Sequence, residues 1–295
     1  MSFSDVIRKE FKVSDEARDA GLTTPDGVVR FDDICYLRKD DAMKLKANTE
    51  DTVDTDTKTS DIWHLLDVYR PNSAGDNKLP VIVNVHGGGW VYGDKDVYQY
   101  YCMDLCLRGF AVVNFSYRLA PEYKYPAQLE DTCMAFRWVM DNAEEYGFDT
   151  DRIYAVGDSA GAHNLSLYAA ILTNPEYAEN YAFQTPGGFR FKAIALNCGA
   201  FLIDVSKQDL TSQLMEDFLP EGGSREEIHL ISSVYHITEN YPPVYLMSAV
   251  DDFLKDQPAV IMPKLMEKEV PFIYHFFGDK QNRRSEERRV GKKCR

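Results

Sequence analysis

Short apolar runs alternate along this chain with longer stretches of helical periodicity. Runs at 81–85, 111–115, 153–156, 191–197, 244–248 and 272–277 are nearly continuous in apolar and β-forming residues. Such runs read as strands buried on both faces of a sheet. Between them, stretches near 97–107, 127–146, 160–172 and 258–268 repeat apolar residues at three- and four-residue spacing and read as helices. The alternation predicts an α/β class, a mostly parallel twisted sheet with helices on both faces. Two earlier strands are expected at 28–36 and 61–69, with an acidic, threonine-rich, aperiodic loop at 40–60. Residues 1–21 read as a polar amphipathic helix with Phe3, Val6, Ile7, Phe11 and Val13 along one stripe. The alternation breaks at 202–238, where helical patterns at 209–218 and 225–234 flank Pro220-Glu221-Gly222-Gly223.

Composition sharpens this reading. With 295 residues and 44% hydrophobic content the chain can bury one large core, and residues 1–282 are expected to form a single domain. The net charge is −14, and the segment from Arg283 onward holds seven basic and two acidic residues. Such acidity argues against nucleic acid or an anionic membrane as partner. No apolar run approaches the length of about 18 residues that marks a membrane span. The charged start lacks the apolar centre of a signal peptide, so a cytoplasmic location is expected. Six cysteines are scattered. Cys102 and Cys106 share a helix face without a second pair or histidine to complete a metal site, and Cys35, Cys133 and Cys198 read as small core residues. No metal or cofactor is expected.

Chemistry enters at two turns. Gly157-Asp158-Ser159-Ala160-Gly161 lies between a strand and a helix, the setting of a nucleophile elbow. There glycines let the chain bend sharply and leave the serine exposed above the sheet. Upstream, the strand at 79–85 delivers His86-Gly87-Gly88-Gly89-Trp90. Acyl transfer develops a negative oxygen that needs fixed N–H donors. A glycine-rich turn supplies them without side chains in the way, paired with the amide that follows the nucleophile. Those donors would be Gly88, Gly89 and Ala160; a glycine turn without chemistry is the alternative. A carboxylate is expected where the strand at 243–250 ends, with Asp252 ahead of its rivals Asp251 and Asp256. A helix N-cap is the other role open to those rivals.

These segments resemble the hormone-sensitive-lipase branch of the α/β-hydrolases, the fold-3 carboxylesterases. The matching residues are His86 to Gly93 (HGGGWVYG), Tyr117 to Glu122 (YRLAPE), Pro126 with Asp131, Gly157 to Gly161 (GDSAG), and Pro243 to Asp256 (PVYLMSAVDDFLKD). The resemblance covers roughly residues 60–280. It implies Ser159 as nucleophile, Gly88, Gly89 and Ala160 as oxyanion hole, Asp252 as acid, and a small helical cap from about 1–25 and 202–238. A cap rich in Leu, Met, Phe and Tyr implies an apolar pocket for an acyl group of about two to six carbons. Asp158 and Trp90 flank the site, and Arg118 and Glu122 read as structural. Two other functions stay open, a non-catalytic small-molecule receptor on the same fold and a hydrolase of aryl-formamides or acetylated sugars.

The base is the awkward member. Chain order in this fold is Ser, acid, His, and His275 is the sole histidine after Asp252. It lies inside the run at 270–277, whereas the resemblance places the base in the loop beyond that strand. The segment Arg284 to Arg295 matches the translated sequencing adapter RSEERRVGKECR except at Lys293. Residues 283–295 are therefore expected to be non-native, with the base-bearing loop and closing helix missing and the chain nearly inactive.

Overall fold

The computed structural model describes residues 2–41, 62–207 and 209–282. The expected loop at 40–60 falls almost wholly outside these residues, as does the 283–295 segment. In chain order the elements are α1 (Phe3–Asp19), β1 (Val28–Cys35), β2 (Leu65–Pro71), β3 (Leu79–Val85), α2 (Lys95–Leu107), β4 (Ala111–Phe115), α3 (Ala127–Asp141), β5 (Phe148–Asp158) and α4 (Ala160–Thr173). The short α5 (Pro175–Ala178), β6 (Ala193–Asn197), α6 (Leu210–Phe218), α7 (Arg225–Ile231), β7 (Val244–Ala249), α8 (Pro258–Glu267) and β8 (Phe272–Phe277) complete them.

The strands form one sheet ordered β1-β2-β4-β3-β5-β6-β7-β8, antiparallel at β1–β2 and β2–β4 and parallel from there on. This is the α/β-hydrolase fold. Central β4 is buried at every position because helices cover both faces. Tyr69, Ile82 and Val112 meet Cys102, Met103 and Cys106 of α2 on one side, while Val81, Val83 and Val113 join the larger core containing α3 and α4. Alternation along each strand sends neighbouring side chains to opposite faces. The edge strands β1 and β8 are covered on one side at most, and their exposure alternates accordingly.

Several boundaries move. The second early strand starts at Leu65 rather than 61. Helix α3 stops at Asp141, where the Asn142 side chain donates to the Trp138 carbonyl at 2.8 Å and ends the helix. β5 is longer than its apolar run, since polar 149–152 also pair along it or turn into it. Cys35 is exposed, not core, because it ends an edge strand; Cys102, Cys106, Cys133 and Cys198 are buried.

Arg8 and Arg18 bind the N-terminal helix to the rest of the fold, Arg18 by donating to the Val97 carbonyl of α2 at 2.7 Å. Arg8 of α1 donates to the Val91 carbonyl at 2.7 Å, the Ala120 carbonyl at 2.8 Å and Glu122 Oε1 at 2.8 Å. Ser4 donates to Asp217 of α6, so the two cap segments also touch. Arg8→Ala should weaken this docking by about 1 to 2 kcal/mol, from the lost charge-assisted bonds. Amide exchange in α1 is the measurement, with roughly tenfold faster exchange there and an unchanged sheet as the expected result. Arg118 is inward-facing: its guanidinium grips Asp131 at 2.7–3.0 Å and holds Glu130 at 2.9 Å. Burial alone would raise the pKa of Asp131, but Arg118 and His64 outweigh it and hold the carboxyl well below the usual range.

Candidate active site

β5 passes into α4 through Ser159, whose φ of +53° lies in a region that residues with a Cβ seldom occupy. Its amide donates to the Asn197 carbonyl of β6 at 2.9 Å, which fixes the turn against the next strand. The glycines on either side are dictated by close approach. A Cβ on Gly157 would stand 2.5 Å from the Gly161 carbonyl oxygen, and one on Gly161 only 2.1 Å from that of Val85.

Directly across, β3 ends and the glycine loop begins. His86 is fully buried, its ring stacked on Tyr117 at 4.0 Å, and its Nδ1 donates to the Gly87 carbonyl at 2.8 Å. Gly88 and Gly89 have φ of +123° and +60°, and Trp90 follows at +64°. The Gly88 carbonyl accepts the amides of Val91 at 3.2 Å and Tyr92 at 3.0 Å, closing the turn. The amides of Gly88, Gly89 and Ala160 go to no acceptor among the described residues. All three residues and Ser159 line one cleft that is open to solvent.

The cap walls this cleft unevenly. Leu210 and Leu214 of α6, Phe11 of α1, and Phe253 with Leu254 make an apolar side. Ser14, Asp15 and Arg18 of α1, with Tyr98 and Asp158, make a polar one that the apolar pattern of the cap did not announce. Burial raises the pKa of Asp15 although Arg18 approaches at 2.8 Å. Tyr98 donates to Asp158 at 2.7 Å. Met215 and Phe218 of the cap turn into the core instead of the cleft.

Asp252 leaves the sheet just beyond β7. The parallel register Asp158↔Asn197 and Asn197↔Met247 brings the carboxyl ends of β5, β6 and β7 to one edge. Asp252 is buried, with Oδ1 accepting the Leu254 amide at 2.8 Å, whereas Asp251 and Asp256 are exposed. Its neighbours Phe253 and Leu254 line the cleft.

None of the six histidines lines that cleft. His275 pairs with Met247 within β8, exposed, its ring stacked on Phe277 at 4.8 Å. His64 lies against Asp131 at 3.2 Å, and His229 and His236 stack on Tyr235 and Tyr177 in the cap. His163, one turn beyond Ser159, takes the Trp90 indole N–H at 3.1 Å and meets the Ile231 carbonyl at 2.8 Å. That link joins the glycine loop, α4 and α7; sequence spacing alone puts His163 near Ser159 but says nothing of Trp90 or Ile231. Among the described residues no group of three metal-ligating side chains occurs, and no helix is long and apolar enough to cross a membrane.

The BD-FAE family model matches residues 66–257. Carboxylesterase NlhH of Mycobacterium tuberculosis is 43% identical over 202 residues, 65% of this chain and 62% of the relative. Versiconal hemiacetal acetate esterase of Dothistroma septosporum is 30% identical over 210 residues, again 65% of this chain and 62% of the relative. The chain thus spans about three-fifths of the length of these curated relatives. Among solved structures, esterase B from Lactobacillus rhamnosis superposes with a TM-score of 0.77 at 23% identity, over 92% of this chain and 82% of that one.

Proposed function

Since the chain belongs to the BD-FAE family, we propose that it is built to hydrolyse small carboxylic esters through an acyl-enzyme on Ser159. The observation that carries this reading is the pairing of a strained serine turn with three unclaimed amides on the wall of one cleft. In the proposed reaction Ser159 Oγ attacks the ester carbonyl carbon as a base takes its proton. The carbonyl oxygen gains charge, and the amides of Gly88, Gly89 and Ala160 receive it. The tetrahedral species then expels the alcohol, which takes the proton back, and water repeats the sequence on the acyl-serine. Asp252 orients the base. The apolar wall suits a short acyl chain.

The base itself is assigned to none of the six histidines, because each is committed elsewhere or stands outside the cleft. This chain is accordingly expected to hydrolyse p-nitrophenyl acetate only at the residual level of a triad lacking one member, roughly 10³–10⁴-fold over water. Extending it beyond β8 with a histidine-bearing segment from an esterase relative should raise the rate by about 100-fold or more, and Ser159→Ala should cancel that gain. Equal rates for the extended chain and its Ser159→Ala variant would remove Ser159 from the mechanism. The placement of every histidine away from the cleft lining also favours a second reading, a receptor that binds a small ester without turning it over. Saturable binding of an ester that the extended chain still leaves intact would select it.

A further inference from the structure

We propose that His163 is a positioning residue, tying Trp90 of the glycine loop to the Ile231 carbonyl of α7 so that the cap helix holds the Gly88 and Gly89 amides in place. The inference rests on the proposed function, in which those amides receive the oxyanion. His163 lies in the first turn of α4, and its own amide donates to the Ser159 carbonyl at 3.0 Å. Its ring is buried and uses both nitrogens. Trp90 Nε1–H donates to Nδ1 at 3.1 Å, which leaves Nε2 to carry the proton and donate to Ile231 O at 2.8 Å. Only the neutral ring, in this one tautomer, can make both bonds.

Trp90 is the last residue of the glycine turn and is held from both sides. Its carbonyl accepts the Ala120 amide at 3.0 Å, and its indole stacks on Phe218 of α6 at 4.9 Å. With φ of +64° at Trp90 and +60° at Gly89, the loop needs an anchor for this conformation. The indole bond to His163 supplies it from the helix that carries Ser159. Loop and nucleophile are thereby fixed to each other, and α7 is fixed to both. An apolar residue of similar size would fill the space beside Phe218 but could not make the connection.

That contrast defines the test. His163→Gln keeps an acceptor for the indole and a donor for Ile231, whereas His163→Phe keeps the volume and loses both bonds. In ¹⁵N-labelled protein the Trp90 indole resonance, assigned with Trp90→Phe, should move in His163→Phe together with the Gly88 and Gly89 amides, and return toward wild type in His163→Gln. Residual p-nitrophenyl acetate hydrolysis should fall roughly tenfold or more in kcat with little change in KM for His163→Phe and Trp90→Phe, and recover to within about threefold in His163→Gln. The opposite order, with Phe tolerated and Gln harmful, would assign His163 to packing and overturn the proposal. So would glycine amides that do not respond to either loss of the bond. If wild type shows no rate above buffer, the ester-hydrolase reading fails, and the indole and glycine resonances still decide whether the joint exists.

Discussion

Gly161→Ala is expected to destabilise the fold by roughly 3 kcal/mol or more, far beyond the cost of a surface glycine change. The added methyl would stand 2.1 Å from the Val85 carbonyl oxygen and 2.4 Å from that of His86. Both obstacles are backbone at the end of a central strand, so neither can rotate away. Helix α4 would have to lift from β3, and Ser159, its first neighbour outside the helix, would move with it. Gly187→Ala is the control, since nothing lies within 4 Å of its added methyl. Urea unfolding of the two variants reads the difference. Near-equal midpoints for both would mean that the elbow tolerates a side chain and that its glycines are not there for contact.

The second large effect is a loss of stability in mild acid. Burial pushes the pKa of His86 down to about 4, against a partly offsetting hydrogen bond to the Gly87 carbonyl. Burial likewise pushes His163 down to about 4, against its bond to the Ile231 carbonyl. An unfolded histidine titrates near 6.5. Between these values the unfolded chain binds protons that the folded chain refuses, so unfolding becomes easier as pH falls. The stabilisation is whole above about pH 6.5 and drains away toward pH 4. From pH 6.5 to 5 the two groups together should cost on the order of 3 kcal/mol. His236, also lowered chiefly by burial, acts in the same direction. Asp15 and Asp67, raised chiefly by burial, act in the opposite one, but carboxylates titrate mostly below this window. His163→Gln should remove about half of the dependence. A denaturation midpoint that stays level from pH 6.5 to 5 would show that these imidazoles are not held neutral by burial.

The parts of the fold that could be read along the chain are those with a strong local cause. Continuous apolar runs such as 81–85 and 111–115 became central strands because only a doubly covered strand can use apolar residues at every position. GDSAG was legible as a turn because glycine two places on either side of a serine answers contacts that any Cβ would violate. Boundaries were less legible. Polar residues 149–152 gave no sign of a strand, yet β5 begins at Phe148, and Asn142 ended α3 before the apolar pattern stopped. The polar wall of the cleft was not legible either. Asp15 and Arg18 continue the Ile7–Phe11 face of α1 at four- and three-residue spacing, yet as charged residues they read in a sequence as solvated by default.

Local spacing by itself determined the order of strands and helices, the two glycine turns and the chemistry they can support. Each of those depends on residues within a few positions of one another. Which distant groups meet was decided only by the tertiary structure. Arg8 reaches Glu122 across 114 positions, and the ring of His163 bridges Trp90 and Ile231 at separations of 73 and 68. The same assembly sets Asp252 inside and His275 on an exposed edge strand. Such pairings follow from strand register and from which sheet face each helix covers, and neither is encoded at the residue itself.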